Sequence, residues 1–331
     1  AAVQDRAVAD VTLVLEGRRA NAKSVTAVMA LEVGRGSAVT FEARGDDAAA
    51  AVAALTHLLA EGLGEQEGHA PATGAAPLQA TPAAAPQPDD PAGLLRGVGA
   101  SPGLAVGRIF HLRRKALEVA ELAADAAGER RTLERALQQA RVELEALQGR
   151  GAAQADAAQA GIFGAHREII DDPDLAGRVS ELLARGKSAG FAWREACGQM
   201  ADQLSKLSNP LLAQRANDVR DVRDRVLRLV VGVDEGPLMV PEESILIADD
   251  LTPSDTATLD RSRVLGFATL LGGPTSHVAI LARSLDLPAI VAIDPRAAEL
   301  LEGTLAVLDG DGGTLRADPP AVEVEAAARA G

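Results

Sequence analysis

Cysteine is nearly absent. Cys197 stands alone among 331 residues, which excludes an internal disulfide and a cysteine-based zinc site. Tyrosine is missing altogether and aromatic residues make up 2%; with the heavy use of alanine this reads as a coding bias and excludes no function. Basic residues are outnumbered, 33 against 47 acidic, for a net charge of −14. No basic face is therefore expected to neutralise nucleic-acid phosphates, whereas a partner with a basic docking face would suit the acidic balance. No apolar run approaches the length of a membrane span, and the N-terminus lacks a signal-peptide pattern. The expectation is a cytoplasmic protein with no nucleic-acid partner and no membrane insertion.

The length exceeds one ordinary core and suits two or three domains. From Gly64 to Pro91 the sequence turns to proline, alanine and polar residues, with prolines at 71, 77, 82, 86, 88 and 91. Such a segment builds no core and is expected to act as an extended, semi-rigid linker. Before it, the alternation of Val11 to Leu15 and of Val39 to Ala43 predicts two strands. A short helix capped by Ser24 and an alanine-rich helix from about Asp46 to Ala60 complete a small α/β unit. After it come strand-like residues from Ala105 to Leu112 and then a long helical stretch. Leu133, Leu137, Leu144 and Leu147 mark an apolar stripe. Asp172-Pro173 reads as a helix start, a third helix carries Trp193 to Leu204, and a fourth follows Asn209-Pro210. Four or so antiparallel helices make a bundle. From Pro237, short strands separated by turns and one helix predict a compact α/β domain, with the bundle inserted after its first strand.

The stretch that carries chemistry is Leu271 to Val291, LGGPTSHVAILARSLDLPAIV. A strand ends at Thr269, and Gly272 and Gly273 let the backbone approach a bulky anion. Thr275 or Ser276 stands where a helix cap belongs, and His277 falls in the first helical turn. The positive end of that helix suits a phosphoryl group. A histidine there keeps a neutral, nucleophilic imidazole at neutral pH, fit for covalent carriage of a phosphoryl group. On spacing alone, an ordinary capping or surface histidine fits the same residues, as does a phosphate loop without histidine chemistry.

This stretch resembles the phosphohistidine signature of Enzyme I of the phosphoenolpyruvate:sugar phosphotransferase system, GG-x-TSH-x-x-I-x-ARSL-x-LPAIV. Gly272, Gly273, Thr275, Ser276, His277, Ile280, Ala282 to Leu285 and Leu287 to Val291 all match. Asp250 to Ser254 with Thr256 resemble the family's DLTPS-x-T segment, Val264 to Phe267 its VLGF strand, and Gly97 to Gly103 its opening segment. The resemblance implies that His277 carries phosphate between phosphoenolpyruvate and the histidine of HPr. Thr256 would hydrogen-bond that histidine, and Thr275, Ser276 and the two glycines would support the phosphoryl group. It also implies that residues 117–232 dock HPr, with Arg215 near the transfer site; as a bare residue Arg215 is also a plain solvated helix charge. Pro274 and Leu270 stand where the family often has arginine and an acidic residue, which bears on the tuning of His277.

The first body is similar to HPr from Ala20 to Leu31 and from Gly36 to Ala43. Ser24 matches HPr's regulatory serine, although a helix cap explains it as well. HPr's GLHARPA-type segment has no counterpart in the sequence, so the resemblance implies an HPr-like domain truncated ahead of its active loop. The expected layout is HPr-like α/β sandwich 1–63, linker 64–93, phosphohistidine swivelling domain 94–116 and 233–318, inserted helical HPr-binding domain 117–232, and connector 319–331. A phosphoenolpyruvate-binding barrel needs about 250 residues and is not expected within these 331. No cofactor is expected here, Mg²⁺ belonging to that barrel, through which phosphoenolpyruvate would act. The resemblance thus points to a segment of an HPr–Enzyme I fusion of the multiphosphoryl transfer kind. Alternatives are an Enzyme I-like module of a dihydroxyacetone kinase phosphotransfer subunit and a non-catalytic HPr-docking module.

Overall fold

The computed structural model describes residues 9–34, 36–60, 93–113, 117–153, 157–233, 239–251, 255, 259–260, 262–273 and 277–330. It is a mixed α/β structure in two units, one from residues 1–74 and 117–234, the other from 75–116 and 235–331.

The first unit opens on a three-stranded antiparallel sheet of order β2-β1-β3, with β1 Asp10–Leu15, β2 Arg18–Asn21 and β3 Thr40–Arg44. Helices α1 (Val25–Ala30) and α2 (Ala48–Ala60) accompany it. The hairpin between β1 and β2 turns on Glu16 (φ 50°) and Gly17 (φ 83°), both left-handed, as a two-residue loop matched to strand twist demands. The sequence reading missed β2 because Arg18-Arg19-Ala20-Asn21 has no apolar alternation; its pairing follows from the turn. Val11 and Leu13 enter two small clusters, the first with Ala51 and Leu55, the second with Ala20 and Leu31.

Five helices complete this unit: α3 (Ala126–Ala153), α4 (Ala157–Ile170), α5 (Pro173–Ala184), α6 (Ala189–Ser205) and α7 (Pro210–Val231). Asp172, Ser188 and Asn209 cap α5, α6 and α7 through their side chains, and Gly232 ends α7 in the left-handed region, as such caps should. The sequence reading expected four or so helices. The helix it did not separate is α4, because the alanine-rich stretch from 151 to 161 offers no contrast between apolar and polar positions. In α3 the buried stripe is Leu133, Ala136, Ala140, Leu144 and Leu147; the expected Leu137 is half-buried, and the small alanines allow α4 to approach. Trp193 is the largest fully buried side chain, and its indole N–H donates to the Arg223 carbonyl at 3.2 Å. Cys197 is buried beside it in α6, and burial pushes its thiol well above the usual range. It is packing, not a nucleophile.

The second unit holds an eight-stranded sheet of order β4-β11-β10-β6-β7-β8-β9-β5. Its strands are β4 Leu94–Arg96, β5 Val98–Ser101, β6 Leu104–Leu112, β7 Ser244–Ala248, β8 Val264–Thr269, β9 Ala289–Val291, β10 Leu305–Asp309 and β11 Thr314–Ala317. Strands β6 to β9 run parallel, and the other pairs are antiparallel. The chain between β6 and β7 contains α3 to α7. All five residues of β7 are buried, with Leu246 and Ala248 on one core and Ile245 and Ile247 on the other. That is the texture of a strand covered on both faces. Helix α8 (His277–Ser284) supplies Val278, Ala279 and Ala282 to the first of these cores, and α9 (Ala321–Ala330) ends the described chain.

Backbone meets backbone at Gly310, whose N–H donates to the Gly103 carbonyl at 2.9 Å. A Cβ there would lie 2.0 Å from the Ser101 oxygen and 3.1 Å from the Ala289 nitrogen. Gly310→Ala is therefore expected to destabilise this unit by about 1–3 kcal/mol, the cost of overpacking. Urea unfolding would show it as a lower midpoint at unchanged slope; a wild-type midpoint would mean that the strands part without cost.

Candidate phosphotransfer and docking sites

The segment around His277 is built by the parallel sheet. After β8, the N–H groups of Leu270 and Leu271 donate to the Ala248 and Asp249 carbonyls at 3.0 and 2.8 Å. The Thr269 hydroxyl donates to the Leu271 carbonyl at 2.7 Å. These bonds tie the strand end to the end of β7. Gly272 follows at φ 99°, a left-handed position open to glycine, and a Cβ on Gly273 would meet nothing within 4 Å. The backbone then enters α8, and His277 is its first residue. Arg283, at the far end of α8, donates to the Ala100 carbonyl at 2.8 Å, which anchors the helix to β5. Thr256, Thr275 and Ser276 lie outside the described residues.

Ser24 and Arg215 belong to the first unit. Ser24 is fully buried. Its hydroxyl accepts from the Ala27 N–H at 3.0 Å, as the cap the sequence implies, and donates to Asp172 Oδ2 at 2.9 Å. Asp172 is itself fully buried. One of its oxygens accepts from Asp174 N and Leu175 N at the start of α5, at 3.0 and 3.2 Å. The other accepts from Ser24 Oγ, Thr26 N at 3.2 Å and Thr26 Oγ1 at 2.7 Å. One carboxylate thus caps one helix and binds the start of another. The contact widens through Asn21 Nδ2 to Asp174 Oδ1 at 3.2 Å. Glu32 Oε1 accepts from Ser208 Oγ at 2.7 Å and Asn209 N at 3.0 Å, and these bonds hold its carboxyl below the usual carboxylate range. Sequence reasoning saw Asp172 only as a helix cap; its second set of partners lies 146 and 148 residues away, beyond any local signal.

Arg215, on α7, keeps 38% of its side chain exposed and donates from Nη1 to Asp218 Oδ2 at 3.1 Å. Asp218 and Asp221 are buried, and both face the buried His166 of α4. The sequence alone singled out neither His166 nor the two aspartates. A signal was present: Asp218, Asp221 and Arg225 keep the same helical period as Val219, Val222 and Val226, so polar residues stand on the apolar face. His111 is buried with Nε2 2.7 Å from the Leu300 carbonyl, a structural role. Among the described residues no group of three or more His, Cys, Asp or Glu side chains is placed to hold a metal ion. No helix among them is long and apolar enough to cross a membrane.

Comparison with known proteins joins these pieces. Residues 96–215 match the N-terminal segment of PEP-utilising enzymes, residues 240–313 their mobile domain, and residues 1–61 the HPr component phosphorylation site of the phosphotransferase system. The chain thus unites segments of the phosphoenolpyruvate-utilising enzyme class with an HPr-type segment. An NMR solution structure of an Enzyme I protein superposes with a TM-score of 0.56 at 33% identity, covering 71% of this chain and 97% of that one. The chain belongs to the Enzyme I family. The multiphosphoryl transfer protein of Rhodobacter capsulatus is 40% identical over 91% of this chain and 36% of its own length. The phosphoenolpyruvate-protein phosphotransferase of Bacillus subtilis is 36% identical over 70% of this chain and 41% of its own. The chain spans well under half the length of these relatives.

Proposed function

We propose that the chain is a phosphoryl-transfer protein of the phosphoenolpyruvate:sugar phosphotransferase system, working in the cytoplasm as part of a phosphoenolpyruvate-protein phosphotransferase. His277 carries the phosphoryl group between phosphoenolpyruvate, presented by a barrel, and the histidine of HPr. The observation that carries this reading is the position of His277 as first residue of α8, four residues on from Gly273 in the segment that follows β8. Backbone N–H groups and the positive helix end favour a phosphoryl group held there. Thr275, Ser276 and Thr256 are the hydroxyls assigned to support it. In transfer, the N–P bond to one imidazole breaks as an N–P bond to the other forms; the accepting ring gives up a proton and the departing ring takes one up, both exchanged with solvent. Little covalent work falls to the protein, so positioning and charge carry the catalysis.

In this reading the second unit is the swivelling phosphohistidine domain, helices α3 to α7 are the inserted HPr-binding bundle, and residues 1–63 are the HPr-like sandwich. Support comes from Ser24, Thr26 and Glu32 of that sandwich, which contact Asp172, Ser208 and Asn209 of the helices. Arg215 is assigned to the transfer site. Ser24 serves first as a cap and contact, and a kinase would reach its buried hydroxyl only after that contact opens.

The test is incubation of the chain with radiolabelled phospho-HPr. Acid-labile, alkali-stable label should pass to the chain. A chain that binds HPr and stays unlabelled would sink the carrier reading and leave a docking module.

A further inference from the structure

His166 has no exposed side-chain surface, and its ring stands edge-on to Phe163, centroids 5.9 Å apart and planes at 85°. Each ring nitrogen faces a carboxylate of α7. Nε2 lies 3.5 Å from Asp218 Oδ1, and Nδ1 lies 3.6 Å from Asp221 Oδ2. Both aspartates are 1% exposed. The second oxygen of Asp218 accepts from Arg215 Nη1 at 3.1 Å. A line of polar contacts therefore runs from a fully buried imidazole, through a buried carboxylate, to a guanidinium that reaches solvent.

Burying three such groups among apolar neighbours costs free energy unless each finds a partner. An apolar residue at 166 would satisfy packing without that cost. What the arrangement supplies is aim. Arginine offers five N–H donors in a planar fork on a long stem that loses rotamer entropy when ordered. Seating Nη1 on Asp218 fixes the plane of the fork and leaves other donors for phosphoryl oxygens, the bidentate geometry that arginine suits. The seat must itself be fixed. The two distances at His166 sit at the outer limit of hydrogen bonding, so the ring acts as a wall with Nε2 beside Asp218.

We propose that His166 is a positioning residue for phosphoryl transfer: it holds Asp218, which aims Arg215 at the phosphoryl group carried by the histidine of HPr. The inference rests on the carrier reading above and on Arg215 acting at the transfer site.

The test measures single-turnover transfer from radiolabelled phospho-HPr to the full chain over a range of HPr concentrations. It compares the parent with His166→Leu, His166→Gln, Arg215→Ala and the Arg215→Ala/His166→Leu pair, each first shown to bind HPr. His166→Leu should slow transfer at saturating phospho-HPr by roughly tenfold while the half-saturating concentration moves less than about twofold, the pattern of a lost transition-state contact. His166→Gln fills the site and keeps an N–H for Asp218, so it should recover most of the rate. In the Arg215→Ala background His166→Leu should change nothing further, since its effect passes through that guanidinium. A leucine variant as fast as the parent, or equal slowing in both backgrounds, would overturn the proposal. So would Arg215→Ala at the parent rate, which leaves the carrier reading standing. A parent chain that takes no label removes the carrier reading itself and this proposal with it.

Discussion

Replacing His277 with alanine is expected to reduce acid-labile label from phospho-HPr to background, by on the order of a thousandfold or more, the scale of losing a covalent nucleophile. No other described histidine is placed to substitute. His111 is buried, and its ring is engaged with the Leu300 carbonyl. His166 is buried against α7. His57 stands in the last turn of α2, at the negative end of the helix, where a phosphoryl group is disfavoured. Alanine is the best helix former, so α8 should survive and far-UV circular dichroism should not change. Label that persists in the folded variant would place the carrier at another residue.

The second large effect belongs to Asp172. Asp172→Ala removes a helix cap worth about 1 kcal/mol and hydrogen bonds to a charged group worth about 1.5–3 kcal/mol. The first unit should lose about 2.5–4 kcal/mol in all, read by thermal or urea unfolding. Asp172→Asn separates the two roles. Asparagine caps as well as aspartate, so its oxygen can keep the α5 N–H groups while its amide turns toward Ser24 and Thr26. Their hydroxyls can reverse and accept, but the Thr26 N–H cannot. A smaller loss of about 1–2 kcal/mol is expected, with faster hydrogen exchange at Thr26. An alanine variant as stable as the parent would show Asp172 to be idle at this contact.

Much of this was legible in the sequence where the signal is local. Ser24 was read as a cap and accepts from Ala27 N. Asp172-Pro173 was read as a helix start and opens α5. The strands around Ile245 to Ile247 and Val264 to Thr269 lie where continuous apolar runs placed them. Signals failed where a second partner decides the outcome. Strand β2 exists because a left-handed pair at Glu16-Gly17 turns the chain back, not because its own residues favour a sheet. The α3–α4 boundary vanished in alanine, which suits either a helix or its end equally by pattern. Asp218 and Asp221 went unconsidered: their period puts them on the apolar face of α7, but nothing local shows that His166 meets them from another helix. Around His277 the glycines and the helix start were readable from spacing, whereas the chemistry came from the long motif match.

One strand, interrupted at Gly97, supplies both ends of the eight-stranded sheet: β4 pairs with β11, and β5 pairs with β9. The interruption is tight, with the Gly97 N–H donating to the Gly313 carbonyl at 2.8 Å and space for a Cβ filled by Ile290, Ile293 and Val291. Among the described residues each piece is paired on one side only, and at three and four residues both are short edge strands that give a foreign strand little to join. A larger side chain at 97 would loosen both pieces and expose the edges of β11 and β9 at once. The hazard from that position is therefore self-association, appearing as concentration-dependent aggregation before any change in phosphoryl transfer is measured.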